Sequence, residues 1–274
     1  MKRLFLSAAA LVMLFAACSK DENNAKPNSV ETETPGKYLL HQISLYDSLE
    51  VTYDSANNMK LIKAWDEKGT PLSTTAFIYE DGKLTKVVDE PDGEMKVVQR
   101  FEYNSAGKLA KTKFYLTPGS TDISHYDSLV YDANGRLSER YELNNSHSIN
   151  LRSILVWDSK GNIVRTLGIN IPGLPLTDTS ITDFTYDDKV NPGAKQPEFF
   201  ITKDYDPTFG LSANNVVKKV NRLNNDFDNS TVTDYQYTYD QDDYPITRKD
   251  STQVIREGQV TYGYSDFFRY RYTR

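Results

Sequence analysis

A short motif recurs along this chain at a near-constant interval, and it dictates the architecture more than any bulk property does. Its fullest form is YDANGRL, from Tyr131 to Leu137. Related units are YDSANNM at Tyr53, WDEKGTPL at Trp65, YNSAGKL at Tyr103, WDSKGNI at Trp157 and YDQDDYPI at Tyr239, with YEDGKL at Tyr79 one residue shorter. The aromatic positions Tyr53, Tyr79, Tyr103, Tyr131, Trp157 and Tyr186 lie 24 to 29 residues apart. Tyr239 follows after 53 residues, about two periods, and SANNVVKK from Ser212 reads as the missing unit. A second set of turn sequences falls between these: DEKG at Asp66, EPDG at Glu90, TPGS at Thr117, LNNS at Leu143, IPGL at Ile171 and REGQ at Arg256. One period therefore holds two reversals and two short strands.

The turn residues carry a mechanism. Asp132 is placed to accept from nearby backbone amides and open a type I turn, and Gly135 takes the positive φ that a following bulge requires. Gly69, Gly82, Gly107, Gly161, Asn57 and Asp243 stand at the equivalent place, all residue types that tolerate the left-handed region. Pro91 before Asp92-Gly93, Pro118-Gly119 and Pro172-Gly173 suit the second set of turns. Tyr131 should then face Leu137 across its hairpin. Counting reversals predicts an all-β fold: an up-and-down antiparallel meander of about sixteen strands, curled into a barrel or an open half-barrel because so wide a flat sheet exposes its edges. Its lumen is expected to be too wide for wall side chains to fill. In KLAKTKFYL from Lys108 and RLSERYEL from Arg136, charges fall on both parities, so neither face gives the apolar band of a membrane-spanning barrel.

The first residues are an address. Lys2 and Arg3 precede an apolar run from Leu4 to Phe15, then Ala16, Ala17 and Cys18, the chain's single cysteine. Leu14 to Cys18 resembles the lipobox of bacterial lipoproteins, which implies cleavage after residue 17 and diacylation of the Cys18 sulfur. Ser19-Lys20-Asp21-Glu22 is similar to the export tag of Bacteroidetes surface lipoproteins, and the resemblance implies the outer face of the outer membrane. Residues 18–36 lack periodicity and are rich in Pro, Thr, Glu and Asn, the composition of a flexible tether. The expected organisation is a signal over 1–17, this tether, and one hairpin-repeat domain over 37–274.

The Tyr131–Leu137 unit is similar to the YD repeat of Rhs and teneurin-type proteins, which wind hairpins into hollow β shells. With the lipobox, the chain also resembles uncharacterised Bacteroidetes lipoproteins with a porin-like fold. The repeat resemblance implies architecture and carries over no catalytic residue.

The remaining chemistry is sparse. There is no phosphate loop, no Gly-x-Ser-x-Gly and no His-Glu-x-x-His, and His41, His125 and His147 read as turn histidines rather than a shared metal site. The acidic runs at Asp240-Gln-Asp242-Asp243 and Asn224 to Asn229 lack the later Glu of an EF-hand and read as turns. A net charge of -6 has the wrong sign for a nucleic-acid binder, while 19 Tyr, 12 Phe and 2 Trp argue against disorder. No cofactor or metal is expected. The leading functional expectation is a non-catalytic scaffold anchored through Cys18, binding a glycan, peptide or protein. The alternatives are a glycan-directed hydrolase using paired lumen carboxylates and a carrier of an apolar ligand.

Overall fold

The computed structural model describes residues 36–90, 93–169, 175, 178–196, 198–202 and 207–273. Cys18, Ser19 to Glu22, Asp92 and the Pro172-Gly173 turn lie outside the described residues. From Gly36 the chain forms one unit. Its strands are β1 (Leu39–Ile43), β2 (Asp47–Tyr53), β3 (Met59–Asp66), β4 (Pro71–Glu80), β5 (Lys83–Asp89), β6 (Lys96–Tyr103), β7 (Leu109–Tyr115) and β8 (Ile123–Tyr131). There follow β9 (Leu137–Asn144), β10 (Ile149–Trp157), β11 (Ile163–Ile169), β12 (Thr179–Val190), β13 (Asn214–Leu223), β14 (Ser230–Tyr239), β15 (Pro245–Arg256) and β16 (Gln259–Tyr272). Each strand pairs antiparallel with its sequence neighbours, and β1 pairs with β16 through His41 opposite Arg271 and Ile43 opposite Arg269. The sixteen strands therefore close into a barrel without a free edge.

Successive turns alternate between the two ends of this barrel, and one end carries the motif turns. At Asp132 the side-chain Oδ1 accepts from the amides of Asn134 (2.9 Å) and Arg136 (2.8 Å), and Gly135 has φ +80°. Asp54, Asn104, Asp158 and Asp240 make the same pair of bonds at this end. Asp81 and Gly82, both at positive φ, form the tighter two-residue turn. These amide bonds favour the ionised carboxyl. Asp132 is held below its ordinary range first by the Arg136 amide, and Asp54 first by the Asn58 side chain.

Two expectations need correction. Trp65 and Gly69 build the same turn, with Asp66 accepting from Lys68 and Thr70, but at the opposite end. Only one reversal separates Trp65 from Tyr53, and Trp65 pairs with Ser48, on the outward parity. Second, the 53 residues between Tyr186 and Tyr239 are one period with an insert, not two periods. SANN from Ser212 makes no hairpin tip; it ends a segment, residues 191–213, containing a 3-10 turn (Pro192–Lys195), α1 (Glu198–Thr202) and α2 (Pro207–Leu211).

The described residues of the insert fold into the lumen at the motif end, so the barrel is not left for water to fill there. Phe199 is 2% exposed and packs with Leu39, Val51, Met59, Phe77, Leu84 and Phe101 from the wall. Phe200 and Leu211 pack against Leu137, Leu155 and Ile163 on another part of the wall. The buried Asn191 side chain staples the segment, donating to the carbonyls of Thr208 (3.1 Å), Phe209 (3.0 Å) and Ser212 (2.7 Å) and accepting from the Gly193 amide. Close approach explains Gly210, where an added Cβ would stand 2.7 Å from the Phe200 amide nitrogen.

The outward parity is charged through the middle of the wall. Glu102 pairs with Lys113, Glu139 with Arg152 (2.9 Å), and Asp183 with Arg222 (2.6 Å) and Arg165. Such a surface does not offer lipid a continuous apolar band. Among the described residues no helix is long and apolar enough to cross a membrane.

Candidate functional site

The motif aromatics point into the lumen and do more than cover the sheet. The Tyr131 hydroxyl donates to the Leu109 carbonyl at 2.8 Å, on the preceding, neighbouring strand β7. The β7–β8 ladder has ended by then, since its last pair toward this end is Lys111 with Ser128. The tyrosine thus satisfies a carbonyl that the sheet leaves over. The pattern recurs: Tyr53 donates to Leu39 (2.7 Å), Tyr103 to Leu84 (2.9 Å), Trp157 through Nε1 to Leu137 (2.7 Å), Tyr186 to Ile163 (2.6 Å) and Tyr272 to Pro245 (2.7 Å). Tyr79 and Tyr239 depart from it, donating to the carboxylates of Glu198 and Asp187. Every one of these positions is Tyr or Trp and none is Phe, because the contact needs a donor at the tip. Burial pushes the Tyr103 and Tyr131 hydroxyls above their ordinary range.

The basic residue after the turn glycine reaches across to the next unit. Lys83 lies 5.3 Å from the Tyr103 ring centre, Lys108 lies 5.0 Å from Tyr131, and Arg136 lies 5.4 Å from Trp157. These are cation–π distances. Each letter of the motif therefore has a role: the aromatic ties to the previous unit, the acid shapes the turn, the glycine relieves the backbone, the base covers the next aromatic, and the leucine is buried. Tyr131 stands opposite Leu137 in register.

Between the insert and this aromatic wall lies a cleft of about 630 Å³, a size that suits a small ligand. The wall contributes Tyr79, Tyr103, Tyr131 and Trp157, together with Leu84, Leu109, Leu129 and Leu137. The insert contributes Glu198, Phe200 and Leu211, and Lys83 and Arg136 stand at the rim. The Glu198 carboxylate accepts from the Tyr79 hydroxyl at 3.0 Å. The structure thus brings Tyr79, Gly82, Tyr103, Gly107, Tyr131, Gly135, Trp157 and Gly161 to one cleft. Tyr53 lies elsewhere on the motif end, its hydroxyl also accepting from Gln196 of the insert, and Asn57 and Asp243 sit in turns at positive φ. The insert residues of the cleft were not foreseen from the sequence.

Deeper in the lumen the walls turn polar. Arg140 and Asp127, 6% and 4% exposed, pair at 2.8 Å. Burial raises the Asp127 carboxyl although Arg140 opposes the shift. Carboxylates face one another across neighbouring strands at Asp127 and Glu142 on β8 and β9 and at Asp250 and Asp266 on β15 and β16. Arg248 engages Asp250 through Nε (2.7 Å) and a terminal nitrogen (2.8 Å), and burial raises the Asp250 carboxyl. A cavity of about 130 Å³ adjoins Arg248, Asp250, Tyr235 and Tyr270. Burial pushes the Tyr270 hydroxyl up to about 12. His147 is in a turn, but His41 and His125 are strand residues, His125 stacked on Phe114 at 4.3 Å. The two acidic runs form turns, Asp240 also pairing with Lys37 at 2.6 Å. Among the described residues no group of three or more His, Cys, Asp or Glu is arranged to hold a metal ion.

No protein-family model and no curated protein matches the sequence. Among solved structures, a porin-like protein from Bacteroides uniformis ATCC 8492 matches with a TM-score of 0.59 and 12% identity, over 83% of this chain and 91% of that one. A porin-like protein from Bacteroides vulgatus ATCC 8482 matches with a TM-score of 0.48 and 12% identity, over 86% and 99%. A chain of the TcdB2-TccC3-Cdc42 structure matches with a TM-score of 0.31 and 13% identity, over 76% of this chain and 13% of its own. The first of these is a likeness of fold, and the other two carry no argument.

Proposed function

We propose that the protein is an outer-membrane surface lipoprotein, anchored through acylated Cys18, whose barrel is a non-catalytic ligand-binding scaffold. The observation that carries the binding role is the cleft at the motif end, where insert and aromatic wall leave a space of about 630 Å³. The lipobox-like Leu14 to Cys18 and the tag-like Ser19 to Glu22 support the anchor and the outward orientation. The likeness of Tyr131 to Leu137 to YD repeats supports reading the motif as architecture. The bidentate Arg248 contact engages the carboxylate of Asp250, which weighs against the hydrolase reading of its facing pair with Asp266.

Two measurements test this. Protease added to intact cells should remove the body, and Cys18→Ser should release it from the membrane fraction; a body protected until the outer membrane is broken contradicts surface display. Ligand candidates should change the emission of Trp157, which lines the cleft. The protein-partner reading is favoured by the opposite rim, where Leu45, Tyr46, Leu72, Leu116, Phe227 and Tyr262 are exposed among acidic Glu67, Glu94, Asp226 and Glu257. Such a rim fits an apolar and basic protein surface, and crosslinking from Leu72 in cells tests it.

A further inference from the structure

The cleft discriminates between ligand classes by what its aromatics have left to offer. A sugar ring is held by stacking together with hydrogen bonds to its hydroxyls, and a pocket for it needs several free planar polar groups. Here the donor tips are already used: Tyr103, Tyr131 and Trp157 donate to wall carbonyls and Tyr79 donates to Glu198. Most of what faces the space is carbon, from Leu109, Leu129, Leu137, Leu211 and Phe200 together with the ring faces and edges, and the polar share comes from Asn58, Lys83, Arg136 and Glu198.

The rim supplies the second half. The Lys83 ammonium stands 3.9 Å from where a Cβ on Gly107 would lie, and that of Lys108 stands 2.4 Å from the same point on Gly135. Lys83 lines the cleft itself, and the Lys108 ammonium lies against Gly135, which lines it. Each rests on an aromatic ring, and neither forms an ion pair with a carboxylate among the described residues. Arg136, by contrast, is tied to Asp132 at 2.9 Å.

We propose that this cleft takes an anionic amphiphile, its apolar chain seated on the leucines and Phe200 and its acidic head at Lys83 and Lys108. The proposal rests on the ligand-binding reading and adds the chemical class. Glu198 also lines the cleft and keeps its charge while accepting from the Tyr79 hydroxyl, so the acidic head is placed at the two lysines and away from the insert that carries Glu198.

The test uses Trp157 emission in a Trp65→Phe background, since Trp65 is at the other end of the barrel. The probes are submicellar dodecanoate, dodecanol and dodecyltrimethylammonium, with maltohexaose and a mixed peptide pool as other classes. Dodecanoate should bind about tenfold more tightly than dodecanol, and the cationic probe should bind more weakly than either. In the Lys83→Gln/Lys108→Gln variant dodecanoate should fall to the affinity of dodecanol, with dodecanol unchanged. Equal affinities for the three alkyl probes, or no loss in the double variant, overturn the head-group assignment. A response to maltohexaose or peptide without one to dodecanoate overturns the apolar class and leaves the ligand cleft standing. Silence to every class overturns both.

Discussion

Replacing Tyr131 with Phe isolates the contact that joins one repeat to the next. The ring stays, so its register opposite Leu137 and the Lys108 contact are kept, and one hydroxyl is lost. That hydroxyl donates at 2.8 Å to the Leu109 carbonyl, which lies beyond the end of the β7–β8 ladder. A net hydrogen bond contributes about 0.5 to 1.5 kcal/mol, and an orphaned, partly buried carbonyl adds its own cost, so a loss of about 1 to 2 kcal/mol is expected. With a urea slope of about 2 to 3 kcal/mol/M, the unfolding midpoint should fall by about 0.3 to 1 M at unchanged slope. Tyr262→Phe is the control, because that ring is 61% exposed and surface changes stay within about 0.5 kcal/mol. Tyr103→Phe acts on a different carbonyl, that of Leu84, and should cost a similar amount, but Tyr103 pairs with Leu109, so the double variant should depart from the sum of the two. If Tyr131→Phe is no less stable than Tyr262→Phe, the clamp does not hold the repeats together.

Three further perturbations separate the parts. Gly210→Ala forces a Cβ to 2.7 Å from the Phe200 amide nitrogen, so the insert should shift, cost about 1 to 3 kcal/mol and change Trp157 emission; unchanged emission and melting temperature would contradict the seating of the insert. Asp132→Asn should be less stable than the parent at pH 7, and the gap should close as pH falls through the acid range. The native carboxyl is held low, first by the Arg136 amide, so its stabilisation is complete above the unfolded value of about 3.9 and is lost below it; a gap independent of pH, followed by urea midpoints, contradicts this. Arg140→Met strands Asp127 in the lumen and should cost about 3 to 5 kcal/mol, with Asp127→Leu/Arg140→Met recovering most of it; equal stability of single and double variants in urea would place the pair in water.

The barrel was legible because turn chemistry is local. Asp or Asn followed by a residue at positive φ marks a reversal wherever it occurs, and a regular succession of reversals leaves a meander little choice but to pair in order. A signal for the tip bond was present as well, since Phe is abundant in the chain and Tyr or Trp holds every one of these positions, as a tip donor demands, but it does not give the direction: Trp65 carries the same donor and points outward. The end on which a turn falls depends on counting single reversals, which is why Trp65, one reversal from Tyr53, shares the motif but not the site. The insert was not legible. α1 and α2 have five residues each, too few to show a helical period. Phe199, Phe200, Phe209 and Leu211 take their places from the wall around them rather than from any repeat of their own. The cleft inherits this division, one wall written in the motif and the other formed by packing.

The ring of aromatics, the seated insert and the cleft all require that the first and last strands meet. Ile43 and Arg269 are directly opposed in β1 and β16, and opposed residues on antiparallel strands lie about 4.5 to 5.5 Å apart at Cα, within disulfide range. In a Cys18→Ser background, Ile43→Cys/Arg269→Cys should oxidise nearly completely in the folded protein under mild conditions, and a shift to Ile43→Cys/Thr261→Cys should not. Free thiols in the folded Ile43→Cys/Arg269→Cys protein would mean that the sheet is open and would contradict the closed barrel.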